Sequence, residues 1–183
     1  MNMNKELFIE DIETSVAIDS RPNYYEKIAN NIKELEQKIE QDEEVKKSAA
    51  FYFLQYGIFA ENYHAFDHAL YCYQKSLEYC SDTNSGHFYW QVNNLGFCLN
   101  YLERFAEAEP FLRLAIKADP LRHNAWKNLG VSLEYQGKFT QAWDSYKRSS
   151  ELCPSDDRAS RHLERMLERF GSDFETTLGR SDQ

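Results

Sequence analysis

Apolar and small residues return along this chain with a period of 34: Val92, Leu95, Gly96, Leu99, Ala108, Leu112 and Pro120 come back as Trp126, Leu129, Gly130, Leu133, Ala142, Tyr146 and Pro154. Within each period the apolar positions step by three and four, the spacing of a helix that buries one face. A fixed period of this length marks an array of helical hairpins, each of which buries its apolar face only by stacking on its neighbours. Gly57 anchors an earlier copy, with Phe53, Tyr56, Ala60, Ala69 and Tyr73 in the matching places. The distance from Gly57 to Gly96 exceeds the period by five residues, which the polar run Ser81, Asp82, Thr83, Asn84, Ser85, Gly86 takes up as a longer loop.

The three copies occupy residues 50–81, 89–122 and 123–156. The pattern predicts first helices over 44–62, 87–101 and 122–136, and second helices over 66–79, 105–118 and 139–152. Gly96 and Ala108, like Gly130 and Ala142, are expected to meet where the paired helices cross, because small residues let backbones approach. Pro120 and Pro154 should end their second helices, since proline lacks an amide hydrogen and restricts the residue before it.

Helices are expected on both flanks of the array. Pro22 opens one within residues 21–48, with Tyr25, Ile28, Ile32, Leu35 and Ile39 forming an apolar stripe. The stripe needs a cover, either the first repeat or a second chain in a coiled coil, and its short length favours the first repeat. Ser155 or Asp156 can cap a last helix over 157–171, with Ala159, Leu163, Met166, Leu167 and Phe170 on one face closing the open end of the stack. Its other side carries Arg158, Arg161, Arg165 and Arg169 with Glu164 and Glu168 between them, and reads as a solvated face or, less often, an acidic-partner site. Gly171 should terminate this helix, leaving residues 172–183 as a flexible tail.

Composition narrows the function classes. With 183 residues the chain suits one compact domain, and few Gly and Pro beside 12 Tyr and 12 Phe suit long helices joined by short turns. A net charge of -9 repels phosphate backbones and anionic lipid surfaces, which argues against a nucleic-acid partner. Cys72, Cys80, Cys98 and Cys153 form no C-x-x-C pair and sit in helical patterns, as expected in a reducing compartment. Residues 1–20 form an acidic N-terminal segment whose apolar residues follow no basic region, so it does not read as a signal peptide. Nor is there a run of roughly 18 apolar residues, so no membrane insertion is expected. The expectation is a cytoplasmic protein.

The elements Trp126-x2-Leu129-Gly130-x2-Leu133, Ala142-x3-Tyr146 and Pro154 resemble the tetratricopeptide repeat signature, with Leu133 replacing its usual tyrosine. The second copy departs at Val92, where tryptophan is usual, and the first at Tyr56 and Ser81, where leucine and proline are usual. The resemblance covers residues 50–156. It implies an all-α helical-hairpin array in a right-handed superhelical solenoid, with the first helices lining a concave groove that holds a peptide or helix of another protein. It further implies a non-catalytic scaffold, adaptor or small chaperone without a cofactor.

Helical projection identifies the groove face as the one opposite the hairpin-core residues. It carries Phe51, Leu54, Gln55, Ile58 and Asn62 in the first copy, Trp90, Asn93, Asn94, Phe97 and Tyr101 in the second, and Asn124, Lys127, Asn128, Val131 and Tyr135 in the third. Solvated helix faces normally carry charge, so this apolar and aromatic row implies a cover, from a partner or from a segment of the chain itself. Gln55, Asn94 and Asn128 share one position and form a ladder of amides. Either they pair with the backbone of an extended ligand, or each is bonded to a neighbouring helix. The lysine, asparagine and arginine clamp that some members of the family use for a terminal carboxylate is not matched: Leu54 and Ile58, then Asn124 and Asn128, stand where its cations and amide would be.

Evidence for chemistry is thin. His64 and His68 have a helical ligand spacing, but His64 falls in a predicted turn and no third ligand of matched spacing accompanies them, so no metal site is expected. Phosphate-loop and nucleophile-elbow motifs are absent, and Cys98 and Cys153 have no evident base, so catalysis is not expected. Two other readings stand beside the binding scaffold. One is a homodimer or larger self-assembly through the Tyr25 to Ile39 stripe or the groove. Alternatively Leu7, Phe8, Ile9, Ile12, Val16 and Ile18 of the acidic segment occupy the groove.

Overall fold

The structure, a computed structural model, describes residues 21–80, 82–83 and 85–171. The acidic segment 1–20 and the tail 172–183 lie outside the described residues, as do the side chains of Tyr25 and Ile28. Among the described residues the elements are all helical: α1 (Arg21–Gln41), α2 (Glu43–Lys47), α3 (Ala49–Asn62), α4 (Phe66–Glu78), α5 (Phe88–Tyr101), α6 (Phe105–Ala118), α7 (His123–Tyr135), α8 (Phe139–Leu152) and α9 (Asp157–Phe170). Helices α3 and α4, α5 and α6, and α7 and α8 pack as hairpins, and each hairpin packs on the next.

The helix expected over 44–62 is broken in two. Asp42 starts α2 by accepting the amides of Glu44 at 2.8 Å and Val45 at 3.3 Å, and the Ser48 amide turns back to the Val45 carbonyl at 3.0 Å. The helical pattern is therefore interrupted at Ser48 before α3 begins. Downstream, Asp119 and Cys153 end α6 and α8 immediately before Pro120 and Pro154. Pro110 lies inside α6 on an exposed face, where water can satisfy the carbonyl that its missing amide leaves unpaired.

The glycines set how closely the paired helices approach, and the nearest side-chain atoms they face belong to the residue sixteen positions on rather than to the alanine twelve on. A Cβ on Gly57 would lie 2.4 Å from the Tyr73 ring, one on Gly96 2.5 Å from Leu112, and one on Gly130 2.5 Å from the Tyr146 ring. In each hairpin the residue sixteen positions later fills the space that the missing side chain leaves. Ala69, Ala108 and Ala142 are fully buried in the same core.

In the first and third hairpins the tyrosine also fastens the two helices. The Tyr73 hydroxyl donates to Glu61 at 2.7 Å and the Tyr146 hydroxyl to Glu134 at 2.8 Å, while Leu112 and Asn100 hold these places in the second hairpin. Burial raises the pKa of Glu61, and the Tyr73 bond offsets only part of that rise. Burial acts on Glu134 the same way, but the donors gathered there, the His162 ring, the Tyr146 hydroxyl and the Arg165 guanidinium, outweigh it and bring its pKa down to about 2. Polar bonds repeat along the stack as well. Ser76 and Ser149 donate to the carbonyls of Ala50 and His123, and Cys98 and Ser132 to those of Phe66 and Phe105.

Both flanks close on the array. Ile32, Leu35 and Ile39 of α1 are buried in the core that includes Phe53 and Leu70, and the Tyr71 hydroxyl bonds to Glu36. This part of the stripe is covered by the chain's own first hairpin and leaves no surface there for a second copy. At the other end Ala159 and Met166 of α9 are buried, with Leu163, Leu167 and Phe170 packed beside them. Asp156 caps α9 through the Arg158 amide, and Gly171 ends it at φ 82°.

Gly130→Ala is expected to lower unfolding stability by about 1–3 kcal/mol, because its Cβ meets a ring held between two helices. Gly86→Ala, where nothing lies within 4 Å, should stay within about 0.5 kcal/mol. Urea titrations of the two variants check the contrast. Glu134→Gln is expected to cost about 1–2 kcal/mol at neutral pH, with allowance made for solvent screening. A depressed carboxylate stabilises the fold above its unfolded value of 4.5 and loses that contribution as pH falls toward about 2, so wild type and variant should converge over that range. Glu61→Gln, at a carboxylate shifted the other way, should cost less.

Candidate functional site

First helices α3, α5 and α7 lie side by side, α3 against α5 and α5 against α7. Between α5, α7 and α9 a cleft of about 640 Å³ opens. Of the residues projected onto the groove face, Phe97, Tyr101, Lys127, Asn128, Val131 and Tyr135 line it. The others lie elsewhere. Leu54 is buried in the core and Ile58 packs against it; Phe51 sits edge-on to His87 with ring centroids 5.6 Å apart. Gln55 and Asn94 are half-buried, and the Arg122 guanidinium covers the Trp90 ring at 4.8 Å.

The amide row is turned largely inward. Asn128 is buried and its Nδ2 donates to Asn93 Oδ1 at 3.2 Å, while Asn93, also buried, donates to Asn94 Oδ1 at 3.1 Å. Asn100 Nδ2 donates to the Asn128 carbonyl at 2.8 Å. An amide at this position thus reaches the neighbouring first helix, and the bonds hold α5 to α7. Asn124 faces outward but accepts from Arg158 at 3.1 Å.

Aromatic rings mark the cleft at regular stations. Tyr101, 55% exposed, stacks on Phe66 with ring centroids 3.4 Å apart, and Tyr135, 64% exposed, stacks on Phe105 at 4.5 Å. In each case the last residues of a first helix lie over the start of the preceding second helix. The next such station holds Arg169, 5.3 Å over the Phe139 ring.

That substitution of a cation for a tyrosine reveals residues that the sequence reading left outside the groove. Arg158, Arg161, His162 and Arg165 of α9 line the cleft, as do Asn100, Glu103 and Phe105. Counting 34 residues on from Asn124, Lys127, Asn128, Val131 and Tyr135 reaches Arg158, Arg161, His162, Arg165 and Arg169. Helix α9 therefore stands in the register of a fourth first helix, and its arginine side, solvent-exposed as expected, also borders the cleft. The 34-residue period was the signal, but it weakens after Pro154 because Ser160 and Glu164 replace the tryptophan and glycine of the pattern.

Lys127 stands apart among the cations of the cleft. Half-buried, it has no hydrogen bond or ion pair among the described residues, and burial together with nearby Arg158 pushes its pKa down to about 8. Asp156 holds Arg158, Asp157 holds Arg161 at 3.0 Å, and Glu134 holds Arg165 at 2.8 Å. No group of three or more His, Cys, Asp or Glu side chains that could hold a metal ion occurs among the described residues. None of their helices is long and apolar enough to cross a membrane.

No family model matches the chain, and no curated protein matches it. Solved structures do. The first tetratricopeptide domain of Spaghetti (RPAP3), solved with the HSP90 peptide SRMEEVD, matches at 22% identity and a TM-score of 0.61, over 69% of this chain and 96% of that one. A crystal structure of MamA matches at 18% identity and a TM-score of 0.65, over 85% of this chain and 87% of that one. MamA 41-end from Desulfovibrio magneticus RS-1 matches at 17% identity and a TM-score of 0.61, over 89% and 92%. At such identities the likeness is one of fold, and together with the three hairpins and their glycine contacts it establishes this chain as a tetratricopeptide helical-hairpin array.

Proposed function

We propose that the chain is a non-catalytic interaction scaffold, an adaptor or small chaperone that holds an amphipathic segment of a partner protein in the cleft between α5, α7 and α9. The observation that carries this reading is the pair of exposed tyrosines, Tyr101 and Tyr135, standing over a cleft floored by Phe97, Val131 and Phe105. Large amphipathic rings at the mouth of a concave site bring much contact area for little conformational entropy. Two structures with this fold, the first and second tetratricopeptide domains of RPAP3, were solved with an HSP90 and an HSP70 peptide, which lends the reading support by analogy of fold. With Cys72, Cys80, Cys98 and Cys153 all free thiols, a reducing compartment such as the cytoplasm suits the protein.

The test is the double variant Tyr101→Ala, Tyr135→Ala, assayed for capture of partner protein from the native cell extract and for thermal unfolding. Capture is expected to fall about tenfold or more, as for loss of interface tyrosines, with a melting shift of only a few degrees. Undiminished capture by the folded variant would place the partner elsewhere. Light scattering after size exclusion separates a self-assembled scaffold from a monomeric one.

A further inference from the structure

The arginine side of α9 changes the chemistry of one end of the groove. Along the cleft the lining runs from Phe97 and Tyr101, through Lys127, Val131 and Tyr135, to Arg158, Arg161 and Arg165. Glu103 is the sole acidic residue among those that line the cleft, although the whole chain carries a net charge of -9. Most of the basic groups are answered from behind by Asp156, Asp157 and Glu134. Lys127 is not: it is half-buried, lacks any ion pair among the described residues, and has Arg158 close by. A half-desolvated ammonium whose attraction to Asp156 is shared with Arg158 and His123 is an unfavourable arrangement, which a ligand carboxylate entering the cleft would relieve. Arg161 offers a second contact, because its pair with Asp157 joins side chains 65% and 75% exposed and holds it weakly.

Resting on the reading of the cleft as a peptide site, we propose that its α9 end selects partner segments with acidic side chains set among apolar ones, Lys127 receiving one carboxylate and Arg161 another. The aromatic rings of the cleft take the apolar side chains of the same segment. This site differs from a terminal-carboxylate clamp, whose positions in the first and third hairpins hold Leu54, Ile58, Asn124 and Asn128. Its negative surroundings make the attraction short-ranged, so the acidic segment is gripped only once it is seated.

The experiment is fluorescence anisotropy of the full chain with a labelled, C-terminally amidated peptide that alternates Glu with Phe and Leu, beside an analogue carrying Gln for every Glu. The acidic peptide should bind about tenfold more tightly than the neutral one, Lys127→Met should reduce that preference to about threefold or less without weakening the neutral peptide, and Lys127→Arg should keep it. Circular dichroism confirms that both variants fold. Equal binding of the two peptides, or a preference undiminished by Lys127→Met, overturns the proposal while leaving the cleft a peptide site. Binding of neither peptide to the wild type counts against the site itself. A preference that emerges only when Glu6, Glu10, Asp11 and Glu13 are changed to their amides gives the cleft to the chain's own acidic segment, and a dimer dissolved by Lys127→Met gives it to a second copy. Either result overturns an external partner.

Discussion

The contact between a helical glycine and the side chain sixteen residues later is the constraint on which the rest of this structure depends. At Gly57, Gly96 and Gly130 a methyl group would stand 2.4 to 2.5 Å from the ring or branched carbon it faces, so the helices of each hairpin are as close as the backbone permits. Close approach buries Tyr73, Leu112 and Tyr146 completely and brings the two tyrosine hydroxyls onto Glu61 and Glu134. Because the same spacing recurs in each hairpin, the hairpins share one shape and stack by one set of contacts. That is the structural meaning of the repeat: each unit supplies the surface its neighbour needs.

Equal stacking also fixes where the far faces of the first helices go. Tyr101, Tyr135 and Arg169 reach the same station over Phe66, Phe105 and Phe139, which shows that α9 continues the register of the array. The helix that covers the third hairpin thus also supplies a wall of the groove. Its apolar side, Ala159 and Met166, seals the third hairpin, and its basic side turns the groove from aromatic to cationic at that end. A segment bound here meets different chemistry at its two ends, which gives the groove a direction.

The fold was legible because its cause is local and periodic. Glycine, small residues and proline recur at fixed offsets, and the helices they bound differ from the expected ones chiefly at Ser48, where Asp42 caps a short helix that the apolar pattern does not distinguish from its continuation. Spacing brings the glycine and the alanine twelve residues on to one crossing, but it does not give the reach of the longer side chain one turn further, whose atoms lie nearest the glycine. The groove was harder to read. Helical projection gives the direction of Asn128 but not the reach of its amide to Asn93, and it identifies the arginine-rich face as solvated without showing that the face also borders the cleft. Side-chain reach and the packing partner of a terminal helix are tertiary facts, and a helical wheel contains neither.

Binding on the first-helix side of the array is the central claim, and site-specific photocrosslinking in the native cell tests it most directly. A benzophenone amino acid would replace Tyr135 in one variant and Leu114, exposed on the second helix α6, in another. The account predicts that Tyr135→benzoylphenylalanine traps a discrete partner band and that the same change at Leu114 traps none. A partner trapped at Leu114 and not at Tyr135 would contradict it.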